Sequence, residues 1–427
     1  MDSKSGLTRR GVLKGAAAAG GALAGSGAIT GFPTIWAQNI KNITLRQFGT
    51  GVSNLNAVAE KCKQDTGITL QMTALDSDAV TQRAITQPNS YDIADIEYWI
   101  CKKVFPRGVL QPMDTRRLKY FDQVVPIFTT GKLTPESVIA QGTAPNKVSF
   151  VESQASLKFA KAPTQWFTMM PTIYNADTLG IRPDLVGRPI TNWRDLADTS
   201  FKGKASILNI PSIGIMDAAM VCESLGRVKY VDKGNMTRAE IDQTMALMTD
   251  LKKQGQFRAF WKTFDESVNL MVSGEVVIQS MWSPAVAAVR SKGIACTYQP
   301  LKEGYRAWGG GLGLAKHLKG LELDAAYEYI NWYTSGWVGA YLNRQGYYSA
   351  VLSTAKQYMA PYEWAFWMEG KPAEKDILSP DGKLMEKAGA VRDGGSFTER
   401  MGHVACWNSV MDEDKYMVEK WNEFIAA

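Results

Sequence analysis

Residues 42–99, NITLRQFGTGVSNLNAVAEKCKQDTGITLQMTALDSDAVTQRAITQPNSYDIADIEYW, switch back and forth between two apolar periods. Ile43 and Leu45 alternate with polar residues, Asn54 to Gln64 carries apolar residues at helical spacing, and Ile68, Leu70 and Met72 alternate again. Asp78 to Thr86 returns to the helical period, and Asp92 to Ile96 makes a further strand. Period two marks a half-buried strand and period 3.6 an amphipathic helix. Their alternation in such short units predicts an α/β fold, a parallel sheet covered by helices. Ligands of open sheets of this kind sit beyond the carboxyl ends of the strands. Glu97 and Trp99, directly after the third strand, are therefore candidate site residues.

Further along, Ser149 to Pro163 is polar and weakly patterned, and Trp166 to Tyr174 is an aromatic and methionine-rich stretch with the look of an extended crossover. A second lobe is expected to start here. Asn192-Trp193-Arg194-Asp195-Leu196 begins a helix, Lys204 to Leu208 a strand, and Met216 to Leu225 a helix stopped by Gly226. Val268, Met271 and Val272 mark a helix ended by Gly274, and Glu275 to Trp282 a buried strand. Tyr305 to Leu314 returns through a glycine run, and Asp324 is expected to cap a helix through Tyr333. No internal repeat is evident.

The chain opens with Thr8-Arg9-Arg10-Gly11-Val12-Leu13-Lys14 ahead of a Gly/Ala-rich run. That run is too short and too weakly apolar to span a bilayer. Its order of basic region, mild apolar region and small residue at Ala37 matches a twin-arginine export signal over residues 1–37. Changing Arg9 and Arg10 together to lysine is expected to hold precursor in the cytoplasm. Undiminished accumulation outside it on cell fractionation would contradict the signal.

Cleavage after Ala37 leaves 390 residues, enough for two lobes of ordinary size, and lowers the formal charge from +6 to +3. That near-balance, without a basic block, excludes nucleic acid as an expected partner. The five cysteines, Cys62, Cys101, Cys222, Cys296 and Cys406, form no C-x-x-C pair, and the odd number leaves at least one free in a monomer. Cys62 shares a helical face with Leu55, Val58 and Ala59 and is expected in the core. Pairing among the others stays open. His317 and His403, the only histidines, have no partners at metal-ligand spacing, so no metal or other cofactor is expected. Gly309-Gly310-Gly311-Leu312-Gly313 is not a phosphate loop, since Leu314 stands where the last glycine would be needed. Its glycines fit close backbone approach in a strand.

The order of these pieces resembles the extracellular solute-binding proteins of bacterial ABC importers, in particular the spermidine/putrescine-binding branch. The resemblance rests on Tyr91-Asp92-Ile93 with Gly108 to Asp114, Tyr174-Asn175 with Trp193 to Leu196, Gly274-Glu275-Val276 through Trp282, Glu303-Gly304 with Trp308, and Gly346-Tyr347. It covers nearly all the mature chain. It implies a two-lobed type II periplasmic binding protein with crossover strands and a ligand cleft between the lobes. Lobe 1 would be 38–162 with 284–427 and lobe 2 would be 163–283. A monomer in the periplasm, handing a small organic solute to ABC permease subunits, is the implied role, with no catalysis.

The family's site combines an aromatic box, whose faces attract cations, with carboxylates that hold amines. Here the resemblance places Trp282, Trp308, Tyr347 and Trp99 in the box and Glu97, Ser53, Ser212 and Gly310 on the site. Three positions where polyamine binders have acids carry Ile213, Met216 and Gly310 instead. A dication left with one carboxylate would have an ammonium poorly compensated on desolvation. The expected ligand is therefore a monocation, a zwitterion or a neutral compound, with an amino-acid-like solute preferred. Its amine would meet Glu97, and its carboxylate the amides of a helix beginning near Ser53. The alternatives are a twin-arginine-exported enzyme and, from the paired Tyr347-Tyr348, a ferric-ion-binding protein.

Overall fold

A computed structural model describes residues 40–427. The export signal read at 1–37 lies outside the described residues. The opening stretch folds as its two periods predict: β1 (Thr44–Thr50), α1 (Asn56–Thr66), β2 (Thr69–Leu75), α2 (Ser77–Thr86) and β3 (Ile93–Glu97). Val58 and Cys62 are the buried face of α1, and Gly67, at φ 81°, closes it in the left-handed region that glycine enters without strain. Asp76 starts α2 by accepting from the Ala79 amide at 2.8 Å. β1 pairs in parallel with both β2 and β3. Helix α3 (Tyr98–Val104) follows β3 without a linker.

The second half repeats the plan. Two long strands, β4 (Met170–Ile181) and later β8 (Tyr305–Ala315), run antiparallel. Between them come β5 (Ala205–Leu208), α4 (Pro211–Ser224), α5 (Arg238–Lys253), β6 (Phe257–Trp261), α6 (Phe264–Ser273), β7 (Ile278–Met281) and α7 (Ser283–Ser291). α6 carries a Thr263/Glu266 capping box and stops at Gly274, φ 75°. Sheet order is β6-β5-β7-β4-β8-β3-β1-β2. Two parallel trios are thus joined by one antiparallel pair, and both trios continue through a single curled sheet. All twelve residues of β4 are buried. A Cβ on Gly311 would lie 2.7 Å from the Met170 carbonyl oxygen, so the glycine run does serve close backbone approach.

Three local expectations shift. Helix α4 begins at Pro211 rather than Met216, since proline suits the first helical turn. Asn192 opens only a short 3₁₀ turn, Trp193–Ala197, closed by its box with Asp195. Asp324 does not cap: α8 (Gly320–Tyr333) starts earlier, at Gly320 with φ +57°, and Asp324 pairs with Arg117 at 2.7 Å. The last helix, α9 (Asp414–Ala426), packs Met417, Trp421 and Phe424 into the core that holds α4 and α5. All five cysteines are free and buried. Burial pushes Cys62 up to about 11 and the other four to about 12, which keeps them as thiols. Among the described residues no helix is long and apolar enough to cross a membrane.

Candidate functional site

The carboxyl ends of all six parallel strands converge on one cavity of about 320 Å³. The β1 trio supplies Thr50–Val52 after β1, Leu75–Ser77 after β2 and Glu97 at the end of β3. The other trio supplies Ile210 and Ile213 after β5, Lys262 after β6 and Trp282 after β7. The floor comes from the long strands. Asn175 and Asp177 alternate onto one face of β4, directly opposite Trp308 and Arg306 of β8. Outside lies a wider groove of about 750 Å³ that shares Gly51, Val52, Phe264, Pro284 and Tyr347 with the cavity, so the cavity is the floor of a cleft.

Trp282, Trp308 and Tyr347 all line this cavity and are half-buried. Trp308 and Tyr347 meet edge to face with centroids 5.9 Å apart, and Trp282 packs on Trp261 at 4.8 Å and 90°. Trp99 is not part of the box. It is buried in α3, and its indole Nε1 donates to the Glu97 carboxylate, so it supports the acid from behind. Phe264, an exposed aromatic at the start of α6, stands on the wall instead. Truncating Trp282 or Trp308 to alanine is expected to weaken solute binding by more than about 1 kcal/mol while the fold survives. Unfolding of either variant, read by circular dichroism, would reassign that tryptophan to core packing.

Glu97 lines the cavity. Burial pushes its carboxyl up to about 7, against the Trp99 hydrogen bond, the Arg306 charge and the Asn408 amide. The sequence reading missed its neighbours. Arg306 donates through Nε to Asp217 at 2.6 Å and through Nη1 to Asn408 at 2.9 Å, with Asp177 3.4 Å away. Tyr298 donates its hydroxyl to Asp177 at 3.0 Å. Burial raises Asp177 to about 6 in spite of Arg306, and Asp217 is raised as well. Three carboxylates with elevated affinity for protons thus surround one guanidinium. Its charge is strengthened by Asp217 and Asp177 over the opposing effect of burial. Asp76 also lines the cavity, but its carboxylate is committed to capping α2. Among the described residues Glu97 is the cavity acid with neither an ion pair nor a cap.

The remaining expected site residues fall elsewhere. Ser53 is buried and donates its hydroxyl to Asp95, and the amides of Ser53 and Asn54 are spent on the Thr50 carbonyl. The helix there begins only at Asn56, so the turn Thr50–Val52 is what reaches the cavity. Ser212 occupies the second residue of α4, off the cavity wall, with its hydroxyl unpartnered among the described residues. Gly310 pairs with Glu97 across β8 and β3, facing Ile173 rather than the cavity. Of the three positions read as missing acids, only Ile213 lines the cavity; Met216 is wholly buried in the core. Tyr347 and Tyr348 point to opposite sides, Tyr348 into the core against Tyr174 and Phe397, so they cannot ligate one ion together.

Two parallel trios whose carboxyl ends close on a cleft, floored by two crossing strands, define the periplasmic-binding-protein fold. The profile of the family described as bacterial extracellular solute-binding protein matches residues 57–361, and the chain belongs to that family. No curated protein matches it in sequence. Among solved structures it is similar to the spermidine/putrescine ABC transporter substrate-binding protein PotD from Streptococcus pneumoniae: TM-score 0.59, 15% identity, 90% of this chain and 98% of that one covered. A GABA receptor gives TM-score 0.56 at 18% identity, with 90% and 97% covered. The PBP AgtB from A. tumefacien R10 in complex with agropinic acid gives 0.55 at 13%, with 90% and 99% covered. At such identities these likenesses establish the shared fold.

Proposed function

We propose that this chain is the periplasmic solute receptor of an ABC importer and that its solute is small, organic and carries one cationic amine. The carrying observation is Glu97, an unpaired acid in a cavity walled by Trp282, Trp308, Tyr347 and Phe264. The aromatic faces attract a cation and cover its methylenes, and the carboxylate holds its amine by charge-assisted hydrogen bonds. Lys262 and the turn Thr50–Val52, on opposite walls, suit a carboxylate on the same solute, which favours an amino-acid-like zwitterion. Structural relatives named for polyamines, GABA and agropinic acid support a nitrogen-bearing solute class. The protein works without catalysis, as a monomer exported by the twin-arginine route, and delivers its solute to permease subunits. Its lobes are 38–162 with 284–413, and 163–283 with 414–427. Helix α9 rides with the second, whose core it shares. Closure would hinge on the crossing strands β4 and β8.

Calorimetry across pH tests the proposal. In the empty cavity Glu97 holds its proton up to about pH 7. A cationic amine binds the ionised form, so affinity is full above that pH and falls as pH drops through it. At pH 7 binding should release up to about half a proton, visible as an enthalpy that varies with buffer ionisation heat. An affinity flat from pH 5.5 to 8 would sink the assignment of the amine to Glu97.

A further inference from the structure

Behind the cleft mouth, Arg392 and Arg400 are only 5% and 2% exposed, and neither meets a carboxylate among the described residues. Their guanidinium carbons lie 4.9 and 5.7 Å from the centroid of the same Tyr348 ring. Arg392 Nη1 donates to the Trp367 carbonyl, and Arg400 Nη2 reaches the Ala176 carbonyl at 3.4 Å. Arg392 Nε and Nη2, Arg400 Nε and the Trp367 indole nitrogen are buried donors without partners among the described residues. Both arginines and Trp367 line a pocket of about 30 Å³.

The charges on that pocket do not balance. Glu386 and Asp393 also line it, but Arg290 takes both, at 2.7 Å for Glu386 and by a hydrogen bond to Asp393, which accepts from the Tyr298 amide at 2.8 Å as well. On the pocket wall three guanidinium groups face two carboxylates, and the further acid that Arg400 feels, Asp177, lies 3.4 Å from Arg306. Arginine does not shed its proton in proteins, and an uncompensated buried cation is strongly unfavourable. Burial, with the neighbouring Arg400 charge, pulls Arg392 down to about 10. We propose that this pocket binds one small monovalent anion of chloride size, held between Arg392 and Arg400. The pocket has room for one small occupant. A bound anion would pin the segments Pro361–Trp367 and Phe397–Met401 against α7 and β4.

The test is thermal unfolding of protein prepared in gluconate and titrated with sodium chloride or bromide at constant ionic strength, together with anomalous diffraction from bromide-soaked crystals. The expected result is a saturable rise in Tm of about 2 °C or more with either halide, and a bromide peak between the two guanidinium groups. Arg392→Met should abolish the halide response. Should that variant fail to fold, Arg400→Lys, which keeps the charge but loses the planar fork, should weaken the response. Equal Tm in gluconate and halide with no bromide peak would overturn the proposal, a water filling the pocket instead. A peak without any Tm response would mean an adventitious ion only and would equally overturn it.

Discussion

Replacing Arg306 with methionine is expected to cost about 3–5 kcal/mol of folding stability, the range for removing one partner of a buried ionic cluster. The guanidinium is buried between Asp217 at 2.6 Å and Asp177 at 3.4 Å. Without it both carboxylates, already raised by burial, must take up protons or lie uncompensated. Urea denaturation should show a lower midpoint with unchanged slope. Adding Asp177→Asn and Asp217→Asn to Arg306→Met should recover much of the loss, because the remaining groups are then neutral. A loss below about 1 kcal/mol in the single variant, the size of an ordinary neutral hydrogen bond, would show that the cluster is already compensated by other groups. The register of β4 against β8 holds this cluster under the cleft floor, so the same variant should also weaken solute binding by displacing Asp177.

Glu97→Gln is expected to lower affinity for an amine-bearing solute by roughly 1.5–3 kcal/mol, the range for hydrogen bonds to charged groups. That corresponds to about 10- to 150-fold in Kd. Affinity for a neutral solute should hardly change. The amide can still accept from Trp99 Nε1, so the fold has no reason to suffer. The pH dependence of binding should flatten as well, because the group that titrates near neutrality is gone. Wild-type protein should bind spermidine and putrescine more weakly than its own solute, since Asp177 is engaged by Arg306 and Asp76 by its helix. A Glu97→Gln variant with unaltered affinity for an amine would move the amine to another acid.

The two halves of the fold were not equally legible. β1 through β3 could be read because each switch of apolar period is local, and so could the carboxyl-end location of Glu97, which follows from strand order alone. The aromatics Trp282, Trp308 and Tyr347 followed from the family resemblance. Asp177 and Arg306 could not be read, because what brings them together is a strand register between distant parts of the chain. One signal existed, for Arg306: it sits two residues before Trp308 on the same strand and so shares its face. Trp99 was misplaced because α3 starts at Tyr98, one residue after the strand, and the helix turns the indole inward. Met216 lies a turn further along α4 than Ile213, where core rather than cavity covers it. Phe264 had the appearance of an ordinary first-turn residue.

The central claim is that this cleft holds one cationic amine on Glu97 within an aromatic box. The most direct measurement is mass spectrometry of the small molecule released by denaturing protein purified from its own cells. The expected result is a solute with a single amine, near one per chain, with a carboxylate elsewhere on the molecule. Release of spermidine, putrescine or a solute with no amine at all would contradict it.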